Sequence, residues 1–335
     1  KACQFFCTFA PPFFAALTPA GALTKAGLPC MPPRMQISRG RAILLFTLVV
    51  VFWGFNWPVV KLLVQAIPPL WSAALRCIIA AASVLVVQCA AGGFVIPKRR
   101  DISIILVIGL LNMTVGSAFM AAGLQFVPAG RSAVLGYTTP LWVAPGAWLF
   151  LHEALSPRRL LGVAAGVAGV LVLCDPFSIA AGSGTILLGY GLLLLNAFAW
   201  AVAILCIRAH VWLSTPFQLL FWQLLLAAVL LSGLALILEG PPSFGISPRI
   251  AALLVYCGIP GTALAYWAMN IITASLPAVT TSLGVLATPV VGILSSAVML
   301  GEAVDAQLLI SACLILGGIA LGTTVSGTQA SRAGG

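Results

Sequence analysis

Long apolar runs, each closed by a short polar or proline-bearing break, organise this chain. No Asp, Glu, Lys or Arg interrupts residues 42–60, 102–130, 176–207 or 250–301. A helix that crosses a bilayer needs about 20 apolar residues, so the last three runs hold one or two helices each. The breaks divide the chain into ten predicted helices, at about 42–62, 70–91, 101–124, 129–151, 157–174, 185–207, 215–238, 249–271, 277–300 and 304–325. Pro157 and Pro248 each follow a serine, and Ser at the N-cap with Pro at the first helical position is a start signal. No run shows the ten-residue polar/apolar alternation of a membrane β-barrel.

Composition turns the pattern into a fold class. Charged residues make up 7% of the chain, against about 25% in soluble domains. The chain reads as an all-α polytopic membrane protein in the lipid bilayer. Its net charge of +10 does not point to nucleic acid, because the basic residues are few and sit in short loops. With the N-terminus inside, Arg34, Arg39, Arg41, Lys98, Arg99, Arg100, Arg158, Arg159, Arg208 and Arg332 fall on the cytoplasmic side, and Lys61, Arg131 and Arg249 fall outside. That bias predicts cytoplasmic termini, and the location expected is a bacterial inner membrane. Residues 1–30 lack an initiator Met and any run of spanning length, while Met31 and Met35 precede the first helix. They are expected to be a non-native, loosely attached extension. The cysteines form no CxxC pair; those in the helices are expected to pack as small apolar residues. No metal and no cofactor are implied.

Two stretches repeat. Pro128–Leu173 overlays Pro277–Gly322 at a constant offset of 149 residues. Pro128 meets Pro277, Thr139 meets Thr288, Pro140 meets Pro289, Glu153 meets Glu302, Ser156 meets Asp305 and Gly169 meets Gly318. Further upstream the offset is 147: Trp53 meets Trp200, Lys61 meets Arg208 and Pro69 meets Pro216. The organisation expected is an N-terminal extension (1–41), a first repeat (42–174), a second repeat (185–325) and a tail (326–335). Five helices is an odd number, so the second repeat enters the membrane from the opposite side. The ten helices then form two inverted five-helix repeats with a substrate site near the midplane.

The stretches "FWGFNWPVVK", "PPLWSAALR" and "HEALSPRRLLGVAAGVAGVLVL", answered by "AWAVAILCIR", "LPAVTTSLGVLATPVVGILSSAVMLGEAV" and "LGGIALG", resemble a pair of EamA-type domains of the drug/metabolite transporter superfamily. The resemblance covers about residues 42–325. It implies export or exchange of small metabolites, often amino acids and related compounds, without naming the substrate. His152 departs from the glycine usual before the glutamate.

Candidate chemistry is sparse. Arg76 lies in the second predicted helix, where a cation is costly unless it snorkels, meets water or pairs. It either meets a substrate carboxylate through its guanidinium fork or locks neighbouring backbone. Its counterpart in the second repeat is Gln223. Trp53, Asn56, Trp57, Asn112, Tyr137, Asn196, Trp200, Tyr266 and Trp267 are the other expected cavity residues; Trp and Tyr also form interfacial belts, whereas Asn prefers the bundle interior. Pro58, Pro140 and Pro289 loosen helices near such a pathway. Glu153 and Glu302 are read as organisers of a tight turn, accepting bonds from exposed N–H groups and facing the positive end of the following helix. Neither His152 nor His210 has an obvious Ser or Asp partner in the sequence. Enzyme chemistry is not expected.

The functions in play are a secondary transporter for small organic solutes working by alternating access, an intramembrane enzyme, and a passive channel or facilitator. The predicted helix interiors hold no Asp or Glu. That leaves uniport, exchange, or coupling through the helix-end glutamates. The sequence does not set the oligomeric state.

Overall fold

The computed structural model describes residues 38–151, 156–174, 184–210, 212–275 and 284–332. Glu153, His152 and residues 1–37 lie outside them, and the first helix opens at Arg39, within the extension expected at 1–41. The described residues form ten helical elements. These are α1 (Arg39–Ala66), α2 (Pro69–Ala90), α3 (Arg99–Phe126), α4 (Ala129–Gly136 and Thr139–Leu151), α5 (Pro157–Cys174), α6 (Gly184–Ala209), α7 (Pro216–Leu238), α8 (Pro248–Ser275), α9 (Ala287–Leu300) and α10 (Ala306–Arg332). Seven of them are long and apolar enough to cross a membrane, and α9 and α10 carry shorter apolar stretches. Large apolar side chains stand exposed around the bundle, among them Val298, Ile237 and Leu238 at 86%, 79% and 70%. That arrangement suits hydrocarbon, not water. The protein is an all-α polytopic membrane protein.

The starts follow local chemistry. Ser156 and Ser247 accept from the N–H of Arg159 and Ile250, each at 3.3 Å. Thr215 and Gln218 close a reciprocal capping box on α7. Asp305 accepts from Leu308 N–H at 2.7 Å and caps α10. Gly301, in the left-handed region at φ 67°, ends α9.

Three interruptions were not legible as such. Around Ile108–Gly116 in α3 and Ile259–Leu264 in α8 the helix widens to π geometry. In each a threonine hydroxyl donates to the carbonyl five residues back, Thr114 to Gly109 at 2.7 Å and Thr262 to Cys257 at 2.8 Å. The fourth helix, expected to be continuous, breaks at Tyr137–Thr138. Pro140 has no N–H to give to Gly136, and the hydroxyls of Thr138 and Thr139 turn back to the carbonyls of Leu135 and Gly136 at 2.6 and 3.1 Å. A one-residue turn at Leu286 precedes α9 at the equivalent point of the second half. Two cysteines also depart from expectation: Cys89 and Cys313 are exposed, while Cys77, Cys206 and Cys257 are buried.

Packing runs mainly between the halves. α2 lies along α7 and α5 along α10, so equivalent helices meet. α1 packs on α8 and α9, while α6 packs on α3 and α4. The α5–α10 contact is close enough that a Cβ on Gly162 would strike the carbonyl of Gly318, and one on Gly318 would strike that of Gly162. Such backbone approach is the usual role of small residues between membrane helices.

Candidate functional site

The π stretches place a polar and aromatic cluster midway along the bundle. Trp53 of α1 meets Trp200 of α6 edge to face at 6.3 Å between ring centroids, and meets Tyr266 of α8 at 5.7 Å. Tyr266 follows the π stretch of α8 and donates its hydroxyl to Asn112 Oδ1 at 3.2 Å. Asn112 lies within the π stretch of α3. Ser117, just past that stretch, accepts from Arg76 Nη2 at 2.6 Å. Arg76 of α2 is half-buried, with the buried Cys77 beside it in the chain and the buried Cys257 of α8 close by.

Two asparagines frame this cluster. Asn196 of α6 lies against Gly116 of α3, and Asn56 of α1 lies against Gly261 of α8; an ideal Cβ at either glycine would sit 3.0 and 2.9 Å from the respective Oδ1. Each half thus offers a carboxamide to the widened helix of the other half. Asn56 Oδ1 is buried without a hydrogen-bond partner.

Not every expected cavity residue joins the cluster. Trp57 is wedged between Gly136 of α4 and Gly292 of α9 and is 6% exposed, which makes it part of a wall. Tyr137 sits at the break in α4 beside Thr288, and close enough to Tyr266 to stand at the edge of the cluster. Trp267 departs most: it is exposed, because one residue along a helix is a turn of about 100° away from Tyr266.

The carboxylates are committed elsewhere. Glu302 accepts from the N–H of Ala129 and Gly130 at 2.6 and 2.8 Å, which clamps the N-terminus of α4. The sequence placed its partner on the following helix, and the structure places it in the other half. Glu239, which the sequence did not single out because the repeat puts Gly92 opposite it, clamps α2 in the same way through Leu70 and Trp71 N–H at 2.8 and 3.0 Å. Lys61 answers at the end of α3, donating to the carbonyls of Leu124 and Val127. Arg131 pairs with Asp305 at 2.7 Å and also reaches Tyr190 and Gln307. Arg131, Glu302 and Asp305 line a cleft of about 210 Å³ with Pro128 and Leu308. It lies at the bundle end, away from the aromatic cluster. Among the described residues, no carboxylate forms an ion pair with Arg76.

The profile of the EamA-like transporter family matches residues 40–174 and 187–324. A Salmonella typhimurium protein named "Probable amino-acid metabolite efflux pump" is 30% identical over 282 residues, covering 81% of this chain and 91% of its own. The "Uncharacterized transporter YoaV" of Bacillus subtilis is 24% identical, covering 82% of this chain and 94% of its own. A crystal structure of a protein 23% identical in sequence superposes with a TM-score of 0.62 over 87% of this chain and 99% of its own, which shows a shared fold.

Proposed function

The chain belongs to the EamA-like transporter family, and from that premise we propose that it moves small organic solutes bearing a carboxylate and an apolar body, by alternating access between two inverted repeats. The observation that carries this is Arg76. It is a half-buried cation whose described side-chain partners, the hydroxyl of Ser117 and the thiol of Cys77, are both neutral groups. It stands near the hydroxyl of Tyr266, and the described acids are engaged elsewhere. A guanidinium in a partly dry site favours a carboxylate, and charge-assisted bonds are the strong ones. Trp53, Trp200 and Tyr266 supply apolar faces, while Asn56, Asn112 and Asn196 supply orienting amides. The direction proposed is export from the cytoplasm across a bacterial inner membrane, with both termini cytoplasmic, and no catalysis is assigned. The two π stretches supply helix segments with fewer regular bonds to break, set where each half touches the other.

Counterflow in proteoliposomes tests the reading. Saturable exchange of a labelled hydrophobic amino acid is expected, with a matched amide carried poorly. Flux that rises linearly with concentration and ignores internal substrate would mean a passive pore instead.

A further inference from the structure

At the opposite end of the bundle from Glu302, two titratable groups that the transport site does not use are buried together. Asp101, in the first turn of α3, is 0% exposed. His210, at the end of α6, has a side chain 6% exposed and places Nε2 at 3.4 Å from Asp101 Oδ1. The same oxygen accepts from Leu213 N–H at 3.3 Å. The indole of Trp212 meets the imidazole edge to face at 5.2 Å and covers it. The buried Ser214 supplies a hydroxyl to the same carboxylate. Of the described carboxylates, Glu239 and Glu302 each hold two backbone amides, and Asp305 holds an amide and a guanidinium. Asp101 alone among them combines full burial with an imidazole partner.

We propose that Asp101 and His210 form a proton-binding site that couples transport to the pH gradient. The inference rests on the transport reading above and adds its driving ion. With neutral imidazole and ionised carboxylate the buried pair carries one net negative charge, and one proton taken from water makes the pair neutral overall. A net charge held away from water is costly, whereas a neutral or ion-paired couple is far less so. The proton therefore favours the arrangement in which α3 is tied to the α6–α7 turn. Its loss favours opening that end to water. Both helices lead to the central cluster, α3 through Asn112 and α6 through Trp200, so opening here acts on the elements that line it. The charged groups on the elements that hold the pair are Lys98, Arg99 and Arg100, all exposed, and Arg208 two residues before His210, whose side chain lies outside the described residues. Arg41 and Arg158, also exposed, and the half-buried Arg159 stand at the same end on α1 and α5. α2 and α7 present the uncharged Gln88 and Gln218 here, with the exposed thiol of Cys89 at the end of α2.

The experiment uses the full chain in proteoliposomes with labelled leucine, reading counterflow at equal pH and accumulation under an imposed gradient of one pH unit. One proton per substrate supports up to about tenfold accumulation in the wild type. Asp101→Asn, which keeps an acceptor for Leu213 N–H, and His210→Gln are each expected to keep counterflow within about twofold of wild type and to lose the accumulation. Two variants guard against one that fails to fold. Accumulation retained by either folded variant would overturn the proton site. Wild-type counterflow with no response to the gradient would overturn it too, leaving the transport reading intact. No wild-type counterflow at all would sink the transport reading and this inference with it.

Discussion

The two halves agree in how they hold backbone and differ in where they place charge. Each half has a π stretch in its third helix locked by a threonine hydroxyl. Each has an interruption before the main run of its fourth helix, at Tyr137–Thr138 and at Leu286. Each lends an asparagine to the other's widened helix. The charges are not repeated in the same way: Arg76 of α2 faces the cluster, while Gln223 stands at the matching point of α7. The features that repeat are those that any ten-helix bundle of this design needs twice. On the transport reading proposed above, the feature that does not repeat is the one that would read a ligand's orientation.

The largest effect on folding is expected where the repeated scaffold is closest. Gly318→Ala drives a Cβ into the Gly162 carbonyl, whereas the neighbouring Gly317 has nothing within 4 Å of its Cβ position. Overpacking should cost about 1–3 kcal/mol for Gly318→Ala, while Gly317→Ala should be neutral or stabilising by about 0.5–1 kcal/mol. Unfolding midpoints in detergent measure both, and equal midpoints would dissolve the α5–α10 contact as described.

Next comes the unrepeated charge. Arg76→Gln makes the first half resemble the second. It should weaken a carboxylate substrate by about 1.5–3 kcal/mol relative to its amide analogue, read as the ratio of half-saturating concentrations in counterflow. Equal losses for acid and amide would leave Arg76 as a structural residue of α2.

Glu302→Gln and Glu239→Gln then ask whether the helix-end acids belong with the scaffold. Each replacement leaves a weaker neutral acceptor facing two amides, at a cost of about 1 kcal/mol of stability. Substrate affinity should stay unchanged in the protein that folds. A normal midpoint with altered affinity would move either residue into the transport pathway.

The smallest expected effect is electrostatic. The Leu308 amide, and then Arg131, hold the Asp305 carboxyl below its usual range. A carboxylate whose folded value is depressed adds stability that is present above the unfolded value of about 3.9 and is lost as pH falls through the folded one. Asp305 is 44% exposed at its side chain, so solvent screens most of the pair. Asp305→Asn, which can still cap α10, should lower the midpoint slightly at pH 7 and not at all at the acid end. A difference that grows toward low pH would reverse the sign of this argument.

Local rules read well where the cause was local. The Ser-Pro starts at Ser156 and Ser247 and the Asp305 cap appear where the sequence placed them. Arg76 was legible as an isolated cation in an apolar run, although its partner Ser117 was not. The π stretches escaped because Thr114 and Thr262 look like ordinary small polar residues within a helix, and the widening depends on what packs alongside. Trp267 was misplaced because a run of adjacent aromatics does not say which residue turns inward. Asp101 and His210 stand 109 residues apart, so no motif joined them.

The sequence by itself determined that this chain crosses a membrane as helices, where most of them begin, and that it repeats. Those properties follow from side-chain transfer to lipid and from helix-end chemistry, which act over a turn or over one span. Only the tertiary structure decided which charge meets which partner: Glu302 with α4, Glu239 with α2, Asp101 with His210, and Arg76 with a hydroxyl instead of a carboxylate. The physical reason is range. In a medium of low dielectric constant a charge must be answered within a few ångströms, and the neighbours at that distance come from helices that the chain order keeps far apart.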